Sequence, residues 1–287
     1  MPYLAHFKLA RQPFTLTPNR ALFFPELHQK LLTQLLYAVR RGEGIVKLTG
    51  EVGTGKTLLC RLLVQQLVDE AEVALLNGPG MDAGSMAQQV CREFGIDPAG
   101  GQDAYLALGE HLLAVHQSGR RAVLIVDETQ ALDREALETL RLLSNLETDD
   151  AKLLQIVLLG QPELDRTLAR YDLRQLAQRI TFSFTTQAFS EPAAIRYIQH
   201  RIEVCREPGA SEPVFTTAAL KRIVRATGGV PRLINILADR ALLSAYAANA
   251  PRVDADHVRE ALSDGVPLPR QNGPVAWLRG LWNEWVR

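Results

Sequence analysis

The chain has 287 residues, 47% hydrophobic and 22% charged, and its 32 basic side chains equal its 32 acidic ones. That composition suits one large or two modest globular domains, and zero net charge argues against a protein devoted to coating nucleic acid. No run approaches ~18 uninterrupted apolar residues, so no membrane-spanning segment is expected.

The opening MPYLAHFKLARQPF lacks the apolar core and small-residue cleavage site of a signal peptide. Cys60, Cys91 and Cys205 are few, odd in number and without metal-ligand spacing. They read as buried reduced thiols of a cytoplasmic protein. Residues 1–28 are rich in proline and aromatics and read as an extended segment that packs onto a domain. Such a segment either covers a nucleotide base or serves core packing, and both remain open. Residues 27–41 carry leucines at helical spacing and end in Arg40 and Arg41, with Gly42 and Gly44 as the stop.

Residues 45–49, IVKLT, form a β-branched run expected to be a buried strand. Gly50, Glu51, Val52, Gly53, Thr54, Gly55, Lys56 and Thr57 follow and fit G-x-x-x-x-G-K-[ST], the phosphate-binding loop of nucleotide triphosphatases. The glycines permit backbone angles that let consecutive N–H groups point inward at a phosphate. Lys56 brings a point charge to the β- and γ-phosphates, and the Thr57 hydroxyl can ligate Mg2+. The helix expected over 58–68, from Leu58 onward, presents its positive end to the same anion. A random chain of this length would match about once in a hundred, and the strand–loop–helix context makes chance rarer still.

A second strand is expected over 73–76, and helices near 83–94 and 103–117. Residues 122–126, AVLIV, form a continuous apolar run, the mark of a strand buried on both faces of a parallel sheet. Asp127 and Glu128 end it, where open α/β sheets bind ligands. Asp127 suits the magnesium shell and Glu128 the orientation or deprotonation of a water. Taken alone, the pair better suits an acidic helix N-terminus, because 129–146 looks helical. The loop at 50–57 decides for the ligand reading.

Residues 153–159 form another apolar strand, ended by Gly160-Gln161-Pro162. Gln161 would lie beside a γ-phosphate if this strand sits between the loop strand and the Asp127 strand; otherwise it is a turn residue. Residues 173–184 carry Arg174 and Arg179 ahead of TFSF, whose alternation suggests a half-exposed edge strand. Beyond Glu191 only helices are expected, near 191–206, 216–226, 231–248 and 254–263. The boundary to this helical domain falls near 188–191. A linker at 264–275 then leads to a tail whose Trp277, Trp282 and Trp285 fall on one helical face. That tail suits packing on the chain's own helical domain or docking on a partner, and in third place a membrane surface.

Taken in order, GEVGTGKT, VLIVDE, LLGQPEL, LRQLAQRI and GGVPRLIN, with the opening YLAHFKLARQPFTLTPNRALFF, resemble the ATPases of the general secretion pathway protein A (ExeA) type. The ATPase of mannose-sensitive haemagglutinin pilus biogenesis (MshM) belongs to that group. The resemblance covers roughly residues 1–265. It implies an α/β P-loop AAA+ core with a parallel sheet ordered 5-1-4-3-2, followed by a small helical lid. It divides the chain into an N-terminal segment at 1–28, a core at 29–189, a lid at 190–264 and a tail at 265–287. It makes Gln161 similar to sensor 1, Arg232 in GGVPRLIN similar to sensor 2, and Arg179, ahead of Arg174, similar to an arginine finger offered to a neighbouring copy.

It further implies an ATP- and Mg2+-dependent ATPase, homo-oligomeric, serving a secretion, type IV pilus or exopolysaccharide apparatus. The expected location is cytoplasmic, at the periphery of the inner membrane. The chain departs from the pattern in TQAL at 129–132, where AQ or AH is expected, in the tryptophan tail, and in ending after the lid. Two other readings stand beside this one: a DNA-handling AAA+ protein, for which Lys221, Arg222 and Arg225 offer a small basic face, and a nucleotide-gated scaffold with little turnover.

Overall fold

The computed structural model describes residues 1–16, 22–77, 83–97 and 103–263. The tryptophan tail and the linker before it lie outside the described residues. The chain divides into two compact units: Phe23–Gln187, and Met1–Leu22 together with the chain from Ala188 onward.

The first unit is a parallel five-stranded sheet wrapped by helices. Its strands are β1 (Ile45–Gly50), β2 (Ala71–Asn77), β3 (Arg121–Asp127), β4 (Leu154–Gly160) and β5 (Ile180–Thr186), in the spatial order β2-β3-β4-β1-β5. This is the expected 5-1-4-3-2 order, and β4 does lie between β1 and β3. Each strand runs parallel to its neighbours, so every C-terminal end opens on the same edge of the sheet.

Two apolar clusters form on the two faces, and alternation sorts the side chains between them. Ile156 and Leu158 of β4 join Leu124 and Val126 of β3 in one cluster. Val157 and Leu159 join Val123 and Ile125 in the other. Each such side chain fully withdrawn from water contributes about 1.5–3 kcal/mol. β4 is buried along its whole length, whereas β5 alternates, as an edge strand does.

α1 is the short turn Tyr3–His6, and α2 spans Pro25–Arg41. Pro25 starts α2 with a preset φ, and Gly42, at φ 73°, ends it in the left-handed region. α3 (Lys56–Leu67) springs directly from the glycine loop. α4 (Ala83–Glu93) and α5 (Ala104–Gln117) follow β2.

The helix expected over 129–146 is in fact two elements. A 3-10 turn covers Thr129–Ala131, and α6 runs only over Arg134–Leu143. Asp133 is the cause: its carboxylate accepts the Ala136 N–H at 2.7 Å and opens a new helix there. Two short helices, α7 (Glu163–Leu168) and α8 (Arg174–Ala177), connect β4 to β5.

The second unit holds α9 (Glu191–Cys205), α10 (Thr217–Thr227), α11 (Pro231–Ala247) and α12 (Ala255–Ser263). The N-terminal segment is pinned into this unit. Tyr3 donates its hydroxyl proton to Asp239 on α11. Buried Arg201 on α9 donates to the Pro13 carbonyl at 2.5 Å, and Asn235 on α11 donates to the Thr15 carbonyl at 3.3 Å. The Ala10 N–H adds a backbone bond to Cys205 at 2.8 Å.

Candidate nucleotide site

The parallel sheet brings the C-terminal ends of β1, β3, β4 and β5 to one edge, and the sequence motifs gather there. After β1 the chain turns through Glu51–Gly55, with Gly53 at φ 82° and Gly55 at φ 104°. Side chains are strained in that region, so glycine lets the loop close. Gly50 is required for a different reason. A Cβ on it would sit 1.8 Å from the Thr186 hydroxyl oxygen at the end of β5. Thr54 is buried, and its hydroxyl donates to the Glu51 carbonyl at 2.8 Å.

Lys56 is 7% exposed, and its ammonium donates to the carbonyls of Gly50 at 2.6 Å and Glu51 at 3.1 Å. Burial lowers its pKa, and the charges of Glu128, Asp127, Glu51 and Glu163 push it back up. Thr57 is exposed at the first turn of α3, and Leu58 is half-buried beside it.

Asp127 ends β3. Burial raises its carboxyl pKa, and the charge of Glu128 adds to that effect. A hydrogen bond from the Glu128 N–H, 2.8 Å long, and the Lys56 charge act against it. Glu128 itself takes φ 51° and ψ 36°, a left-handed backbone rare for a residue with a side chain. Its carboxylate oxygen Oε2 accepts from the side-chain amide of Gln161 at 3.3 Å and from that of Gln130 at 2.5 Å. The carboxylate and the expected sensor therefore meet, although they are far apart in sequence.

Not every expected residue comes to this edge. Arg179 stands just before β5, at the opposite end of the sheet, where its carbonyl accepts the Ile45 N–H at 2.8 Å. Its guanidinium donates to the Ser144 carbonyl and hydroxyl at 3.3 and 3.1 Å. Arg174 is exposed, with its guanidinium stacked 4.3 Å over the Tyr171 ring. Arg232 belongs to the helical unit and is exposed on the first turn of α11.

Three further residues reach the site that motif reading does not mark. Gln130 is one. Thr186 is another, its hydroxyl 2.6 Å from that of Thr54. His28 on α2 is the third: its ring nitrogen would lie 2.9 Å from a Cβ on Gly55. Gln130 matches the expected AQ, in which only Thr129 departs, but that match assigns it no contact; Thr186 and His28 carry no local signal.

The residues present suit a nucleoside triphosphate with a divalent cation. A buried ammonium bonded to neutral carbonyls seeks an anion, and the glycines leave a cradle that side chains would fill. Thr57 and Asp127 supply the hydroxyl and carboxylate oxygens that magnesium prefers.

A parallel 5-1-4-3-2 sheet with a glycine loop after β1 and an Asp-Glu pair after β3 defines the P-loop AAA+ class, and residues 39–168 match the family model described as AAA domain. Within that class the chain resembles the general secretion pathway protein A type. It is 42% identical over 255 residues to general secretion pathway protein A of Aeromonas hydrophila, an alignment covering 88% of this chain and 46% of that relative. The chain thus spans about half the length of the curated relative it matches.

Solved structures share the fold at low identity. The ORC2 protein of Aeropyrum pernix has TM-score 0.65 at 17% identity, over 86% of this chain and 72% of that one. Cdc6p of Pyrobaculum aerophilum has TM-score 0.66 at 19% identity, over 91% and 70%. The RuvB Holliday junction branch migration motor of Thermotoga maritima has TM-score 0.56 at 20% identity, over 83% and 70%.

Proposed function

We propose that the protein is a magnesium-dependent ATPase that powers or regulates assembly of a secretion, type IV pilus or exopolysaccharide-export apparatus, acting as a homo-oligomer on the cytoplasmic side of the inner membrane. The observation that carries hydrolysis is the Glu128–Gln161 contact at the ends of β3 and β4, beside the loop after β1. A carboxylate held there, in bonding contact with a second polar side chain, is placed to accept a proton from a water. The loop N–H groups and Lys56 offset charge that develops on the phosphates. Thr57 and Asp127 would hold magnesium, which would supply the remaining charge neutralisation. The similarity to general secretion pathway protein A of Aeromonas hydrophila supports the secretion role, and the sequence resemblance supports pilus and export systems.

In the oligomer, an arginine of one copy completes the site of the next. Arg179, ahead of Arg174, is the candidate, and Arg232 is the candidate for the sensor 2 role. The partner contact falls to the Trp277, Trp282 and Trp285 tail.

ATP turnover measured with and without magnesium, across a range of protein concentrations, tests this reading. Specific activity should rise with concentration, require magnesium, and vanish in Lys56→Ala. Arg174→Ala or Arg179→Ala should bind ATP yet turn over slowly. Activity that is the same at every concentration contradicts the shared site. Tight, salt-sensitive DNA binding that stimulates turnover contradicts the secretion role.

A further inference from the structure

We propose that Gln130 is a positioning residue that joins Glu128 to Gln161 and fixes which carboxylate oxygen faces the reacting water; this rests on the hydrolysis reading above. Both ends of the Gln130 amide are committed, and in opposite senses. Its NH2 donates to Glu128 Oε2 at 2.5 Å, and its carbonyl oxygen accepts the backbone N–H of Gln161 at 2.9 Å. Rotating the amide by half a turn would set oxygen against carboxylate and NH2 against N–H, so the two bonds hold its orientation. The side-chain amide of Gln161 donates to the same Oε2 at 3.3 Å. Glu128 Oε2 thus takes two amide donors, and Oε1 remains for a water.

The backbone is shaped to bring this residue back over the carboxylate. Glu128 turns into the left-handed region at φ 51°, and the Ala131 N–H closes the turn on the Glu128 carbonyl at 2.8 Å. Thr129 is fully buried, and its hydroxyl donates to the Val126 carbonyl at 2.9 Å, anchoring the turn to the end of β3. On the far side, Gly160 makes room. A Cβ there would stand 3.1 Å from the Gln130 carbonyl oxygen and 2.9 Å from a methyl of Leu164. Strand β3, the turn after it and the end of β4 therefore converge on one carboxamide.

Such a group acts on the chemical step rather than on nucleotide binding, because it touches the carboxylate and not the phosphate loop. The test is steady-state ATP hydrolysis by the full chain, with ATP affinity measured separately by titration. Gln130→Met keeps the length and removes both bonds. It should lower kcat by about a hundredfold, the scale of a misplaced reacting group, with ATP affinity unchanged. Gln130→Glu keeps an acceptor for the Gln161 N–H but opposes Glu128 with a second carboxylate, and should also lose turnover while binding ATP. It serves as the second variant should Gln130→Met fold poorly.

In a Glu128→Gln background, Gln130→Met should cause no further loss, because the two residues act as one unit. Wild-type kcat in both Gln130 variants overturns the assignment while leaving the ATPase reading intact. So does a full additional loss in the Glu128→Gln background. A wild-type chain that binds ATP without any turnover overturns the hydrolysis reading itself, and this assignment with it.

Discussion

The hydroxyls of Thr54 and Thr186 meet at 2.6 Å, both buried, and tie the phosphate loop to the last residue of β5. Thr186 stands just before the point where the chain leaves the sheet unit, between Gln187 and Ala188. On the other side of that point Phe189 is fixed within the helical unit, its N–H donating to the Gly229 carbonyl at 2.9 Å. Thr186→Val keeps the shape and deletes the hydroxyl. It should lower stability by about 1–2 kcal/mol, read as a lower urea midpoint with an unchanged slope.

Gly50→Ala should be more damaging than its size suggests. The new methyl would lie 1.8 Å from the Thr186 hydroxyl oxygen and 2.9 Å from the Thr186 carbonyl oxygen. A shift of the hydroxyl alone does not relieve the backbone contact. The expected cost is about 2–3 kcal/mol, typical of overpacking, with a parallel loss of ATP affinity in calorimetric titration. Thr186→Gly in the same chain should recover part of the loss by vacating the contacted hydroxyl.

His28 makes part of the loop's support sensitive to acid. Burial lowers its pKa below the ordinary value, while hydrogen bonds with the backbone of Phe24 and Thr54 act in the other direction. The folded chain thus resists a proton that the unfolded chain accepts at about pH 6.5. The neutral ring's stabilising contribution is complete above about pH 6.5 and declines as pH falls below it, towards the depressed folded value. Urea midpoints should fall on acidification through that window, and His28→Gln should fall less steeply. Equal slopes for the two proteins would rule out His28 as the source.

The three cysteines are free and buried. Burial pushes the Cys60 thiol up to about 12, with the charge of Asp127 adding to the effect. It also raises Cys91 and Cys205. Since the thiolate is the reactive form, the native chain should resist iodoacetamide at about pH 8 and take up three labels only in denaturant. Mass spectrometry of the labelled protein reads this directly.

The glycine loop, the Asp127-Glu128 pair and the buried strands were legible in the sequence because each is local: a fixed spacing, or an unbroken apolar run. The stretch at 129–146 misled because its apolar periodicity continues past the carboxylate of Asp133, which caps a new helix at Arg134. Contacts made by single side chains across long sequence intervals leave no period at all. Gln130 reaching Gln161, Thr54 reaching Thr186 and Arg201 reaching Pro13 are of this kind. The glutamine in TQAL matches the expected AQ but shows no role by itself, since that role depends on β4 lying next to β3.

The most direct test of the account compares wild type with Glu128→Gln in two assays on the same preparations, ATP binding by titration and ATP turnover at saturating nucleotide. Binding should be equal, and the variant should lose at least about a hundredfold in turnover. Equal turnover in the two proteins would contradict this, because the carboxylate held by Gln130 and Gln161 would then have no part in the reaction.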